Sequence, residues 1–388
     1  MPSALATDPA AKQNVHGERL RNYSRFQSAL DPLADAVAAA FAERSAGSGR
    51  KLIELALNSG IDAVDDPPQA LVDLFKSLDT VPLWVDWDRI DRGGAVFLRS
   101  GALGMAVLNL YSLPIMYSSA GGNKPLVFTG HLLRRAPRRL AETARFVLAT
   151  SLPGGLRRFA DGFKISVRVR LMHAQVRRLL WRSGRWKPEW GQPVNQLYMA
   201  GTNVALSAGL LEGLQRFGFR VSKEDAEALL HMWRYSGYLS GIDPELLVST
   251  KDEGRQVGAL IRETEGPPDE DSRALIVALM NAPYHPRLEG VKWFADVGYG
   301  ISRKLIGHPL ADALGYPRTR WGWTVHAVRP IVSTANLVQR IVPGGRAWAT
   351  KFGTRTWNQM IDQVMAGAQA EFRPPTKLDN QPSEEKRG

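Results

Sequence analysis

Phe163-Lys-Ile-Ser-Val-Arg-Val-Arg-Leu-Met-His173-Ala-Gln-Val-Arg-Arg-Leu-Leu-Trp181 is the stretch whose reading decides the fold. Aliphatic and arginine residues alternate with helical rather than strand spacing, which predicts one long amphipathic helix. At 100° per residue, Val169, Val176 and Leu180 fall within about 60° on one side of His173, and Arg170 and Arg177 within about 60° on the other. The imidazole stands on the seam between an apolar stripe and a cationic one. An apolar, planar, dianionic metal-bearing group would need such a seam: a nitrogen for its metal, aliphatics for its faces and guanidinium groups for its carboxylates. A hydrogen-bonded core histidine would sit in the same place, and this helix alone leaves both readings open.

The same helical spacing runs along the rest of the chain. It predicts helices over residues 24–44, 52–57, 68–78, 137–150, 163–181, 192–217, 223–238, 244–247, 252–262, 272–281, 326–340 and 355–369. Strand signals are weak, and no tight turn is flanked by alternating runs. The expected architecture is all-α, a single multi-helix domain over residues 23–370. A flexible segment, 1–22, precedes it and a disordered, proline-containing tail, 371–388, follows. Residues 100–123 carry no charge and are long enough to span a bilayer. Asn109, Pro114 and many Ser and Gly dilute them, so a buried helix-turn-helix lining an apolar pocket is the expected form, not a transmembrane span.

Composition narrows the chemistry. The chain has 388 residues and no cysteine, which excludes disulfides, thiolate zinc sites, iron–sulfur clusters and a cysteine nucleophile. Any metal must rest on histidine and carboxylate, or on a macrocycle with one protein ligand. Between His131 and Pro188 there are 15 Lys or Arg against only Glu142 and Asp161, so this block carries the net charge of +12 and leaves the remainder near neutral. Such a block suits an anionic partner, whether nucleic acid, a membrane surface or the carboxylates of a cofactor. The start, Met1 to Asn14, has neither a basic nor an apolar leader region. A cytoplasmic protein is expected as written, and a secreted one if an export signal has been removed.

Three further segments could carry a site. In Arg139-Leu-Ala-Glu142-Thr143-Ala-Arg-Phe146, positions 139, 142, 143 and 146 share a helix face, although Arg139 and Glu142 also suit an ordinary exposed ion pair. Trp190-Gly-Gln-Pro-Val-Asn-Gln196 leads into a small-residue helix. His231-Met-Trp-Arg-Tyr-Ser-Gly-Tyr-Leu-Ser-Gly241 reads as close helix packing, with His231 structural rather than ligating. No phosphate-binding glycine loop, nucleophile elbow or zinc-protease motif is present.

Taken in order, Arg139-x-x-Glu-Thr143, Arg170-Leu-Met-His-Ala-Gln-Val-Arg177, Trp190 to Gln196 and Trp233 to Gly241 resemble the latex clearing proteins. These rubber oxygenases belong to a broader mpaB-like oxygenase family, and the resemblance runs from about Gly101 to Leu247. It implies a globin-like helical core holding one heme b, with His173 as the proximal iron ligand. It also implies oxidative cleavage of an isoprenoid carbon–carbon double bond by O2 to an aldehyde and a ketone. Arg139 and Thr143 match a distal Arg-x-x-Lys-Thr face, but here Glu142 stands in the lysine position. The family's upstream acid counts, without gaps, to about Asn123.

Arg170 and Arg177 are expected to hold the heme propionates, from helical geometry, and Glu142 to take over part of the base role. The expected partner is an apolar isoprenoid, either poly(cis-1,4-isoprene) or a smaller intracellular terpenoid. A monomer is expected, with no nucleic-acid partner and peripheral membrane contact at most. The competing class is a basic helical nucleic-acid- or membrane-surface-binding protein without heme.

Overall fold

Helix starts fall where the chain supplies caps. In the computed structural model, which describes residues 22–42, 44, 48–129, 136–282, 291–365 and Leu378, α1 (Pro32–Ala42) begins with proline at its first position. Asp31 just before it accepts a hydrogen bond from the Ala34 amide at 3.3 Å. After α2 (Ser48–Ser59) and α3 (Gln69–Asp79), the Asp86 carboxylate caps α4 (Trp87–Val107) by accepting from the Arg89 amide. A π turn, Leu108–Ser112, leads into α5 (Leu113–Met116), and Ser119 caps α6 (Ala120–Phe128). Then come α7 (Ala136–Ser151), α8 (Asp161–Arg182) and α9 (Gln196–Val204), the last capped by Asn195.

A second π turn, Ala205–Gly209, joins α9 to α10 (Leu210–Arg216). Ser222 caps α11 (Lys223–Leu239), a reciprocal Thr250–Glu253 capping box starts α12 (Lys251–Thr264), and Asp269 caps α13 (Glu270–Asn281). The chain ends in α14 (Val291–Ile306), α15 (His308–Ala313), α16 (Thr324–Ile341) and α17 (Gly345–Met365). No strand occurs among the described residues, and the domain is all-α. The expected flexible start and tail lie outside the described residues, except for Asn22 and Leu378.

The centre of the bundle is α4, whose first half no helical spacing marked; the helix-turn-helix expected over residues 100–123 forms from its last turns, the π turn, α5 and the start of α6. With the π turn and α5 it makes up Trp87–Met116, the one described helical run long and apolar enough to cross a membrane, yet 61% of its apolar window is buried inside the protein. Its neighbours approach unusually closely. A Cβ on Gly93 would lie 2.3 Å from the Ala228 carbonyl of α11, and one on Gly353 of α17 would lie 1.8 Å from the Leu98 carbonyl. Glycine at these two positions lets three helices share one axis of contact, which lowers the apolar periodicity that would otherwise reveal them.

Several helix boundaries also moved. Residues 24–31 do not extend α1, because Pro32 fixes the start, and residues 25–27 form a separate 3-10 turn. The predicted helix 355–369 instead begins at Gly345. Residues 244–247, predicted helical, hold only the 3-10 turn Pro244–Leu246.

Candidate functional site

The quoted stretch folds as α8, and both of its stripes find partners. On the apolar side, Met172, Val176 and Leu180 pack with Trp186, against Val169, Phe128 of α6 and Trp190. Phe128 meets Trp186 and Trp190 at ring distances of 6.3 and 6.0 Å. On the cationic side, the cap before α1 and its first turn supply two acids one turn apart. Arg170 donates from Nε and Nη2 to Asp31, at 2.7 and 2.9 Å, and both side chains are buried. Arg177 donates from Nε to Asp35 at 2.8 Å and from Nη1 to the Val194 carbonyl at 3.1 Å.

His173 is half-buried between the two stripes. Burial, followed by the Arg177 and Arg139 charges, drives its pKa down to about 4 against a partial pull from Asp31. The imidazole is neutral at neutral pH, the form whose lone pair can bind a metal. Its Nδ1 is sealed from solvent without a hydrogen-bond partner. So are Nη2 of Arg177 and Oδ2 of Asp35. Unpaired buried polar atoms cost about 1–3 kcal/mol each, so three on one seam mark a place that wants a polar guest. A metal-bearing group with carboxylates fits two of them: His173 as ligand and Arg177 as anion donor. Arg170 was expected to share the second role, but its donating edge is taken up by Asp31.

On α7 the predicted face forms only in part. Arg139 is half-buried and near enough for its charge to act on both His173 and the buried hydroxyl of Tyr117. Glu142 is held between Arg138 at 3.3 Å and Arg139 at 3.5 Å. Thr143 is exposed, and its hydroxyl donates to the Arg139 carbonyl at 3.0 Å within the same helix. Phe146 meets Trp233 of α11 at 6.0 Å and packs beside Val169. Arg139 and Phe146 therefore turn toward α8, while Glu142 stays with Arg138 and Arg139 on α7 and Thr143 is exposed.

The other two sequence segments are scaffolding for this seam. Nε2 of Gln196 donates to the carbonyls of Leu30 and Gly241 at 2.8 and 2.9 Å, and its Oε1 accepts from the Asp243 amide at 2.8 Å. That amide side chain ties the approach to α1, the start of α9 and the end of α11 into one junction, and so fixes Asp31 opposite Arg170. Gly241 has φ +80°, and a Cβ there would strike Asp31 Oδ2 at 2.2 Å. His231 accepts from the Asp86 amide at 3.0 Å and stands edge-on to Trp84, which makes it a packing residue at the start of α4. Asn123, where an acid was sought, is buried and donates to the Tyr117 carbonyl and to Ser272.

Sequence reasoning missed Glu265. It ends α12, and burial raises its carboxyl above the usual range despite bonds from Tyr198 and from the Gly121 amide at 3.2 Å. Its Oε1 is sealed and unpartnered. Nothing in Glu263-Thr-Glu265-Gly signals burial, because the residue lies at a helix end whose neighbours come from distant segments.

Residues 87–340 match the family model described as ER-bound oxygenase mpaB/B'/Rubber oxygenase, catalytic domain. A rubber oxygenase from Streptomyces sp. (strain K30) is 25% identical over 260 residues, covering 62% of this chain. The match spans 57% of that relative's own length. The solved structure of the latex clearing protein LCP in the closed state superposes with a TM-score of 0.62 at 22% identity, covering 85% of this chain and 90% of that one.

Proposed function

The chain belongs to the family of mpaB and rubber-oxygenase catalytic domains, and from that premise we propose that it is a heme b-dependent oxygenase cleaving an isoprenoid carbon–carbon double bond with O2 to aldehyde and ketone ends. The observation that carries the cofactor is the neutral, half-buried imidazole of His173, whose Nδ1 is sealed from solvent without a partner. Heme, when bound, supplies an iron that activates dioxygen. The protein's part is to keep His173 deprotonated and to offer Nη2 of Arg177 to a carboxylate. The Met172–Val176–Leu180 face, closed by Trp186, Phe128 and Trp190, keeps water off the apolar side of α8 beside His173. Glu142, steered by Arg138 and Arg139, is the acid best placed on α7 to take a proton from the allylic carbon of the substrate.

Its substrate is polyisoprene or a smaller terpenoid. The competing nucleic-acid reading draws less support, because the basic block spends much of its charge inward. Arg158, Arg168, Arg170 and Arg177 pair with Asp79, Glu54, Asp31 and Asp35 of the first three helices or the cap before them. The deciding experiment is an absorption spectrum of the purified protein with iron determination. A Soret band that disappears in His173→Ala supports the proposal, and a protein that takes up no heme on reconstitution ends it. Product analysis with a polyisoprene emulsion and with short terpenoids then separates the two substrates.

A further inference from the structure

From Gly315 to Ile361 the chain has seven Lys or Arg and no Asp or Glu. This stretch builds the 3-10 turn Arg320–Trp323, α16 and most of α17. The same region is where apolar side chains are left outside. Of the seventeen large hydrophobics exposed among the described residues, nine lie between Trp323 and Val364.

Their placement on the helices is ordered. Viewed down α16 at 100° per residue, Ile331, Ala335, Val338 and Val342 fall within about 40° of one line, with Ile341 and Leu337 widening the stripe on one side. Ile331 and Ile341 are 68% and 66% exposed. The opposite side of α16 is the one that anchors it. Val325 and Asn336 are buried, the Ser333 hydroxyl donates to the Gly218 carbonyl at 3.0 Å, and Asn336 accepts from the Arg220 amide at 3.1 Å. On α17, Trp348 and Phe352 stack one turn apart, with ring centroids 5.3 Å apart and planes within 9°. Both are more than half exposed, and the exposed Lys351 and Arg355 flank them.

A helix fixed by one face and apolar on the other needs an occupant for the second. A second copy of this chain would bring two segments of like charge together, which is unfavourable. An anionic bilayer meets every feature at once. The aliphatic stripe enters the acyl boundary, tryptophan sits at the headgroup level, and Lys and Arg meet the lipid phosphates and carboxylates. We propose that the exposed face of α16 and α17 docks this protein on an anionic membrane surface without crossing it.

The test is sedimentation of the full chain with vesicles of phosphatidylcholine alone and of phosphatidylcholine with phosphatidylserine. The protein is expected to pellet with the serine-containing vesicles and to be released by high salt, which screens the headgroup attraction. The double variant Val338→Glu, Ile341→Glu changes only exposed positions, so it should melt at the parent's temperature. Its binding to the same vesicles should fall by about tenfold or more. Lys351→Glu with Arg355→Glu should weaken binding to the charged vesicles alone. Parent protein that stays in the supernatant with both vesicle types overturns the proposal. So does a correctly folded Val338→Glu, Ile341→Glu variant that binds like the parent. A concentration-dependent dimer, abolished by that variant and seen without vesicle binding, assigns the face to a second copy instead. None of these readouts depends on heme.

Discussion

Arg170 and Asp31 meet in a buried bidentate ion pair, Nε at 2.7 Å from one carboxylate oxygen and Nη2 at 2.9 Å from the other, across 139 residues of sequence. The pair fastens α1 to the helix that carries His173. Breaking it by Arg170→Ala strands a carboxylate in the interior and should cost about 3–5 kcal/mol of folding stability. The double change Arg170→Met, Asp31→Leu removes both charges and should recover most of that loss. Urea unfolding of Arg170→Met, Asp31→Leu and the double measures the coupling. Independent, additive effects would show that the pair does not hold the helices.

Arg177 should behave differently. Its Nη2 is free for an anionic guest while Nε and Nη1 serve Asp35 and the Val194 carbonyl. Arg177→Gln is expected to speed heme loss to an acceptor globin by roughly 10- to 100-fold, the worth of a hydrogen bond to a charged group. A variant that keeps heme as firmly as the parent would remove Arg177 from the cofactor site.

Glu142→Gln keeps the size of the side chain and discards its charge. With Arg138 and Arg139 both at the edge of bonding distance, the helix loses at most a few tenths of a kcal/mol. Heme loading should match the parent, and turnover should fall by about 10²-fold if this carboxylate moves the proton. Full loading with unchanged turnover excludes Glu142 as the base.

Glu265 gives a pH signature. Its carboxyl titrates above the unfolded value because burial penalises the charge. Between the unfolded and folded pKa values the native state holds the proton and the unfolded state does not. The stability it contributes is therefore complete at pH below the unfolded value and is lost as pH rises through that window. Glu265→Gln removes the loss, so the variant should gain stability relative to the parent as pH rises from about 4 toward neutrality. Parallel stability curves for the two proteins would contradict the burial of this group.

The helical class and α8 were legible because a single element repeats one pattern for many turns. Both stripes of that helix were legible, but the acids that pair with the cationic one were not. Asp31 and Asp35 lie about 140 residues away, and helical periodicity carries no information about which distant acid arrives. A bound group and a neighbouring helix present the same carboxylates to an arginine. The first half of α4 escaped notice for another reason: Gly93 and Gly94, which let its neighbours close in, also interrupt its amphipathic rhythm. Glu265 was illegible because burial at a helix end is decided by what packs on it from elsewhere.

The junction at Gln196 has a consequence for where this protein can be cut. The matched oxygenase region runs from residue 87 to 340, yet Asp31 and Asp35, the counter-ions of its signature helix, lie upstream of it. Trp357, which fills the space beside Phe97 at a ring distance of 4.7 Å, lies downstream. A fragment trimmed to the family boundaries would expose the floor of its own core and leave Arg170 charged and unaccompanied in the interior. Homology delimits what the relatives hold in common; autonomy as a folding unit belongs to the larger piece that brings its own counter-ions and its own closing helix.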